Sequence, residues 1–191
     1  MAELRAELDE MQTQVQRCKT IVTGILLSAG SARGEASMPT TLGAFIDDTI
    51  AHWRATRAGN ALRVNKAIDA NLPIVSDSAL KQMIDNVLDN ALEASPKSIA
   101  LDVRNDAETL TLAISDDGPG FPPAMLEEFG KPYQSSKGRP GGGLGLFLVV
   151  NVARTLGGSA TARNKPEGGA TVTLTLPLSA ISFASEAGHG H

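Results

Sequence analysis

Ser115-Asp116-Asp117-Gly118-Pro119-Gly120-Phe121, followed after a polar loop by Gly141-Gly142-Gly143-Leu144-Gly145-Leu146, is the stretch on which the reading of this chain turns. Just upstream, Leu110-Thr111-Leu112-Ala113-Ile114 keeps the two-residue period of a half-buried strand. Just downstream, Leu144 to Val152 reads as an apolar helix without a charged residue. A carboxylate therefore stands at a strand end, and two glycine clusters bracket a loop. Glycine lets backbone come close to a ligand because no Cβ intervenes. A helix that starts just after glycines suits an anion, since its free N–H groups and its dipole both favour negative charge. The layout fits a nucleotide, with the base at the carboxylate end and the phosphates at the glycine–helix end.

The bulk composition narrows the class. The 191 residues have room for one substantial domain and a small appendage, and 42% hydrophobic with 20% charged residues is ordinary for a globular protein. A net charge of −4 speaks against a nucleic-acid partner, which calls for a basic face. A single cysteine excludes an internal disulfide framework, and no Cys/His cluster has zinc spacing. A reducing, cytosolic setting follows. No run approaches the length of a membrane span, and Met1 leads into a charged helix rather than a signal peptide.

Residues 2–28 hold Leu4, Leu8, Met11, Val15, Cys18, Val22 and Ile25 at alternating spacings of four and three, the a/d seam of a coiled coil. Such a seam is narrow and suits pairing with another helix more than packing on a sheet. The expected partner is a second copy or a helix from outside these residues; the alternative is a terminal helix that folds back on its own domain. Cys18 lies on the seam and has two readings, a small buried apolar residue or a thiol facing its symmetry mate. Arg17 and Lys19 beside it would favour the thiolate.

The organisation expected is a partial dimerisation helix over 1–30, a linker over 31–40, a domain over 41–178 and a tail over 179–191. Thr40 or Thr41 should cap a helix with Leu42, Phe45, Ile46, Ile50 and Trp53 on one face. Strands are expected at 61–68, 98–104, 109–115, 159–163 and 170–176. A helix over 76–95 carries Leu80, Ile84, Val87, Leu88 and Ala91 toward the core, capped by Ser76 or Asp77. Asn86 and Asn90 are one turn apart on that helix, so their amides lie one above the other. They are either surface amides or a metal and phosphate face, because an amide oxygen can ligate Mg²⁺ without adding charge. Residues 121–142 should form a loop, rich enough in Gly, Pro and Ser to act as a lid. Gly157-Gly158 should close the following helix. His52, without a carboxylate or cysteine pattern around it, reads as an ordinary side chain.

Asn86-Val87-Leu88-Asp89-Asn90-Ala91 resembles the N box of sensor histidine kinases, Asp116-Asp117-Gly118-Pro119-Gly120 their G1 box, and Gly141 to Leu146 their G2 box. Phe129 to Tyr133 falls where their F box lies. Order and spacing agree across residues 41–177. The resemblance implies the Bergerat ATP-binding fold, a two-layer α/β sandwich of a mixed sheet covered by helices, here preceded by the heptad helix. It implies that Asp116 accepts a hydrogen bond from the adenine amino group while Gly118 and Gly120 let backbone approach the base and ribose. Asn90 would be the Mg²⁺ ligand, with Asn86 in support. Gly141, Gly143 and Gly145 would hinge the lid, with Leu144 beside them at the nucleotide. Tyr133 would pack the lid down, and Lys137 or Arg139 would reach the γ-phosphate.

The implied function is transfer of the ATP γ-phosphoryl group to a histidine, for relay to a response regulator, in a homodimer held by the dimerisation helix. The parent protein would be anchored in the bacterial inner membrane with this domain in the cytoplasm. Two departures stand out. Asp117 replaces an Asn frequent in the family, and no histidine has the His-Glu or His-Asp context of the phosphoacceptor, so the fragment is not expected to label itself. Residues 2–28 resemble the second helix of the dimerisation hairpin, which puts the acceptor on a helix upstream of this chain. Gln14 to Lys19 and Asn90 to Ala94 together resemble the RegB/PrrB/ActS group, in which a cysteine on the dimerisation helix is implicated in redox control. Two other readings stay open: a nucleotide-binding regulatory module without transfer chemistry, and another Bergerat-fold kinase or ATPase.

Overall fold

The computed structural model describes residue 11 and residues 38–57, 62–95, 98–131 and 144–182. The heptad helix and Cys18 lie outside these residues apart from Met11, which is helical. So do Tyr133, Lys137, Arg139, Gly141 and Gly143.

Strand β1 spans Met38–Thr41 and helix α1 Leu42–Thr56. Thr41 is the N-cap, its Oγ1 accepting from the Ala44 N–H at 3.3 Å. The apolar stripe foreseen for this helix is buried throughout, with Leu42 and Trp53 fully enclosed. Strands β2 (Leu62–Ala67) and β3 (Pro73–Ser76) lead to helix α2, Ser78–Ala94. Asp77 rather than Ser76 caps α2, accepting from the Ala79 N–H at 2.6 Å. Strands β4 (Ile99–Asn105) and β5 (Thr109–Asp116) follow, then a short helix α3 (Pro123–Glu127), helix α4 (Leu144–Thr155), and strands β6 (Ser159–Asn164) and β7 (Ala170–Pro177).

The main sheet is mixed, in the order β2-β4-β5-β7-β6, with β2 parallel to β4 and every other pair antiparallel. Its period-two pattern decides which face meets the helices. Leu110, Leu112, Ile114 and Asp116 of β5 are buried, while the alternate residues stay half-exposed. Pairing registers Leu101 and Val172 with Ile114, so one apolar face runs across three strands. Helix α2 packs on β4 and β5, α4 on β6 and β7, and α1 and α4 flank α2. This is the expected two-layer α/β sandwich. Truncating a fully buried leucine of this core, such as Leu88 or Leu112, should cost about 2–5 kcal/mol.

Helix α4 ends as the glycine pair suggests. The Gly157 N–H donates to Arg154 C=O at 2.9 Å and the Gly158 N–H to Ala153 C=O at 2.8 Å, the paired bonds of a Schellman cap.

Three local readings need correction. Met38–Thr40, expected in the linker, form most of β1, which pairs antiparallel with β3, itself unforeseen. The loop expected over 121–142 contains α3. Beyond Leu178 the chain does not leave the fold at once: Val75 donates to Ile181 C=O at 2.7 Å, Ile181 is buried, and Ser182 bridges to Ile74. The first and third corrections concern backbone whose partners lie far away in sequence.

Candidate nucleotide site

Asp116 is the last residue of β5, and the strand's alternation turns it to the helix-covered face, where it is 8% exposed. A buried carboxylate needs donors. The Gly118 N–H supplies one, at 2.8 Å to Oδ1, so the turn braces the carboxylate from within. Gly118 also explains itself sterically: a Cβ there would lie 2.7 Å from the Ala94 C=O and 2.9 Å from Asp116 Oδ1. Ala94 is the last residue of α2, one turn beyond Asn90 and two beyond Asn86 on the same helical line. The strand-end carboxylate and the asparagine line therefore belong to one locality. Asn86 and Asn90 are both half-buried, at the border of the apolar stripe.

The turn after Asp116 is held from the opposite side by the hairpin between β6 and β7. Asn164 Oδ1 accepts from the Phe121 N–H and its Nδ2 donates to the Phe121 C=O, both at 2.8 Å. A Cβ on Gly120 would meet Asn164 Oδ1 at 2.7 Å. Gly169, at φ +83°, lies so close to Asp116 that a Cβ would overlap its carbonyl oxygen. Lys165 Nζ lies 2.7 Å from Asp117 Oδ1, and Ser98 is the next polar group acting on that carboxylate. The lysine first, then the serine, hold the Asp117 carboxyl below its ordinary value of 3.8. Phe121 meets Phe129 edge to face at 6.1 Å between centroids, which docks α3 beside the turn.

Helix α2 is fixed from behind by contacts that sequence reasoning missed. Trp53 Nε1 donates to Asp89 Oδ1 at 2.7 Å, and Arg57 reaches Asp89 Oδ2 at 2.5 Å while its guanidinium lies 5.9 Å from the Trp53 ring. One turn earlier, burial and then the neighbouring Asp89 charge push the Asp85 carboxyl up, and its Oδ1 is buried without a partner among the described residues. The spacing of Asp85 and Asp89 was the available signal, since both sit on the helix line next to the asparagines. His52 is exposed on α1, in keeping with an ordinary side chain.

No group of three His, Cys, Asp or Glu among the described residues could cage a metal. The asparagine line instead suits a hard cation that arrives with its own oxygen ligands, since neutral amide oxygens leave phosphates to complete the octahedron. At the start of α4, Gly145 has open space where a Cβ would be. The structure thus sets the Asp116–Gly118 turn against the C-terminal end of the helix that carries Asn86 and Asn90, and Gly120 against Asn164. Of the second glycine cluster it describes only Leu144, Gly145 and Leu146, at the first turn of α4.

Residues 76–180 match the family described as histidine kinase-, DNA gyrase B-, and HSP90-like ATPases. A sensor histidine kinase component of Mycobacterium tuberculosis, HK1, is 30% identical over 145 residues, covering 74% of this chain and 84% of that protein. The sensor histidine kinase GtrS of Pseudomonas aeruginosa is 41% identical over 100 residues, 52% of this chain and 21% of its own length. Against the longer relative, then, the chain spans about a fifth of the protein. Among solved structures, a mycobacterial sensor histidine kinase, MprB, superposes with a TM-score of 0.58 at 27% identity, over 73% of this chain and 97% of that one.

Proposed function

The chain belongs to the histidine kinase-, DNA gyrase B-, and HSP90-like ATPase family, as a catalytic ATP-binding domain of sensor histidine kinase type, and on that premise we propose that it delivers the ATP γ-phosphoryl group to a histidine carried on a helix outside these residues. The observation that carries the reading is the strand-end carboxylate of Asp116, buried, braced by Gly118 and set against the end of the asparagine helix. Asp116 Oδ1 is already engaged by its own turn, which leaves Oδ2 to accept from the exocyclic amine of adenine. Gly118 and Gly120 keep side chains away from the base and ribose.

Asn90, supported by Asn86, would hold Mg²⁺ through its amide oxygen. The ion would neutralise charge on the phosphates, and phosphoryl transfer needs little more than that and accurate placement. The first turn of α4, from Leu144 and Gly145, would present its N–H groups to the same phosphates. In this reading Gly141 and Gly143 hinge the lid, Tyr133 packs it down and Lys137 reaches the γ-phosphate. These four rest on the sequence motifs.

The partners proposed are a response regulator that takes the phosphoryl group onward and a second copy joined through the heptad helix. No described helix is long and apolar enough to cross a membrane. A membrane anchor for the parent protein rests on the family resemblance. Redox control through Cys18 rests on the seam position and on Arg17 and Lys19 beside it.

Incubating the chain with radiolabelled ATP, Mg²⁺ and a separately made acceptor helix tests the reaction. Acid-labile, base-stable label on the acceptor histidine is the expected result. Tight ATP binding without label would favour the regulatory-module reading.

A further inference from the structure

The turn joining β6 to β7 is bound to the Asp116–Phe121 turn at three points by residues that no sequence box includes. Asn164 takes both backbone groups of Phe121, Gly169 abuts the Asp116 carbonyl, and Lys165 pairs with Asp117. The hairpin turn is itself closed, the Lys165 N–H donating to Gly169 C=O at 2.9 Å and the Gly168 N–H to Lys165 C=O at 3.1 Å. Lys165 is no solvated surface lysine: its side chain is 15% exposed, against 55% for Asp117. The other carboxylate near it, that of Glu167, stays 4.0 Å away.

We infer that Lys165 is a positioning residue for the nucleotide, neutralising Asp117 and fixing the turn that carries Asp116. The inference rests on the ATP-site reading given above. An ion pair whose carboxylate is more than half exposed adds little to the stability of a fold, and this one ties down the turn that carries Asp116. Asp117 adjoins the residue that would receive the base. Without its cation, that charge would stand unneutralised at the base end of a ligand that is itself anionic, and the turn would lose one of its three ties. The low position of the Asp117 carboxyl agrees with a lysine that stays in place.

Calorimetric titration with ATP and Mg²⁺ tests this on the wild-type chain, Lys165→Met, Lys165→Arg, and Lys165→Met combined with Asp117→Asn. Lys165→Met should weaken binding about fivefold, the scale of an exposed charge pair, with an unchanged circular-dichroism spectrum. Lys165→Arg keeps the charge and should bind close to wild type. The double variant should recover most of the loss, because a neutral amide needs no counter-charge; a purely structural lysine would show no such rescue. Wild-type affinity in Lys165→Met, or a double variant as weak as the single one, would overturn the inference while leaving the ATP site intact. A wild-type chain that binds no ATP would overturn the site reading and the inference with it. Should Lys165→Met fail to fold, Lys165→Gln gives the same comparison with a polar side chain.

Discussion

The side-chain amide of Asn164 closes on the backbone of Phe121 from both ends, accepting from its N–H and donating to its C=O at 2.8 Å each. It does for the Asp116–Phe121 turn what a neighbouring strand would do, since the turn has left the sheet after Asp116. Asn164→Ala should therefore loosen the turn more than it destabilises the domain. Two neutral, solvent-accessible hydrogen bonds contribute about 1–2 kcal/mol together. Thermal unfolding should shift slightly, whereas amide exchange at Phe121 should speed up markedly. Unchanged exchange at Phe121 would contradict the role given to Asn164.

Gly168 and Gly169 form a matched pair of controls. Both have positive φ, +101° and +83°, so alanine strains either backbone by about 1–3 kcal/mol. Only at Gly169 would the new Cβ also collide with the Asp116 carbonyl; at Gly168 it meets nothing within 4 Å. Gly168→Ala should fold and bind nucleotide, while Gly169→Ala should lose nucleotide binding or fail to fold. Thermal melts and ATP titrations on the two variants check this, and equal behaviour would contradict the close packing of Gly169 on the strand end.

Much of this was legible in the sequence because it is local. Alternation in β5 places Asp116 on the covered face, and the four-residue step from Asn86 to Asn90 places both on one helical line. The caps at Thr41 and Gly157-Gly158 are readable for the same reason. What escaped is set by partners remote in the chain. Met38–Thr41 and Pro73–Ser76 are four-residue segments, each with a proline, and only their mutual pairing makes them strands. Asn164 and Lys165 lie 43 and 48 residues from the backbone and carboxylate they hold. Trp53 reads from periodicity as core, yet its indole N–H also anchors Asp89 on the asparagine helix.

The Asp117 carboxyl gives a pH signature with a definite sign. Its folded value lies below the ordinary 3.8, through Lys165 first and Ser98 second. The pair's contribution is then fully present above the unfolded value and is lost as pH falls through the lower folded one. In a carbon-detected NMR titration, Asp117 should protonate at lower pH in the wild type than in Lys165→Met. Identical midpoints would mean that Lys165 does not hold the carboxylate in solution.

The central claim is that Asp116 and Asn90 are opposite walls of one Mg²⁺-dependent ATP site. Its most direct test is calorimetric titration of the wild-type chain, Asp116→Ala and Asn90→Ala with ATP, with and without Mg²⁺. Losing a charge-assisted hydrogen bond to the base should cost about 1.5–3 kcal/mol, a weakening of roughly ten- to a hundredfold in Asp116→Ala. Asn90→Ala should lose the part of the affinity that depends on Mg²⁺ and keep the rest. Wild-type titration curves in both variants would contradict the account.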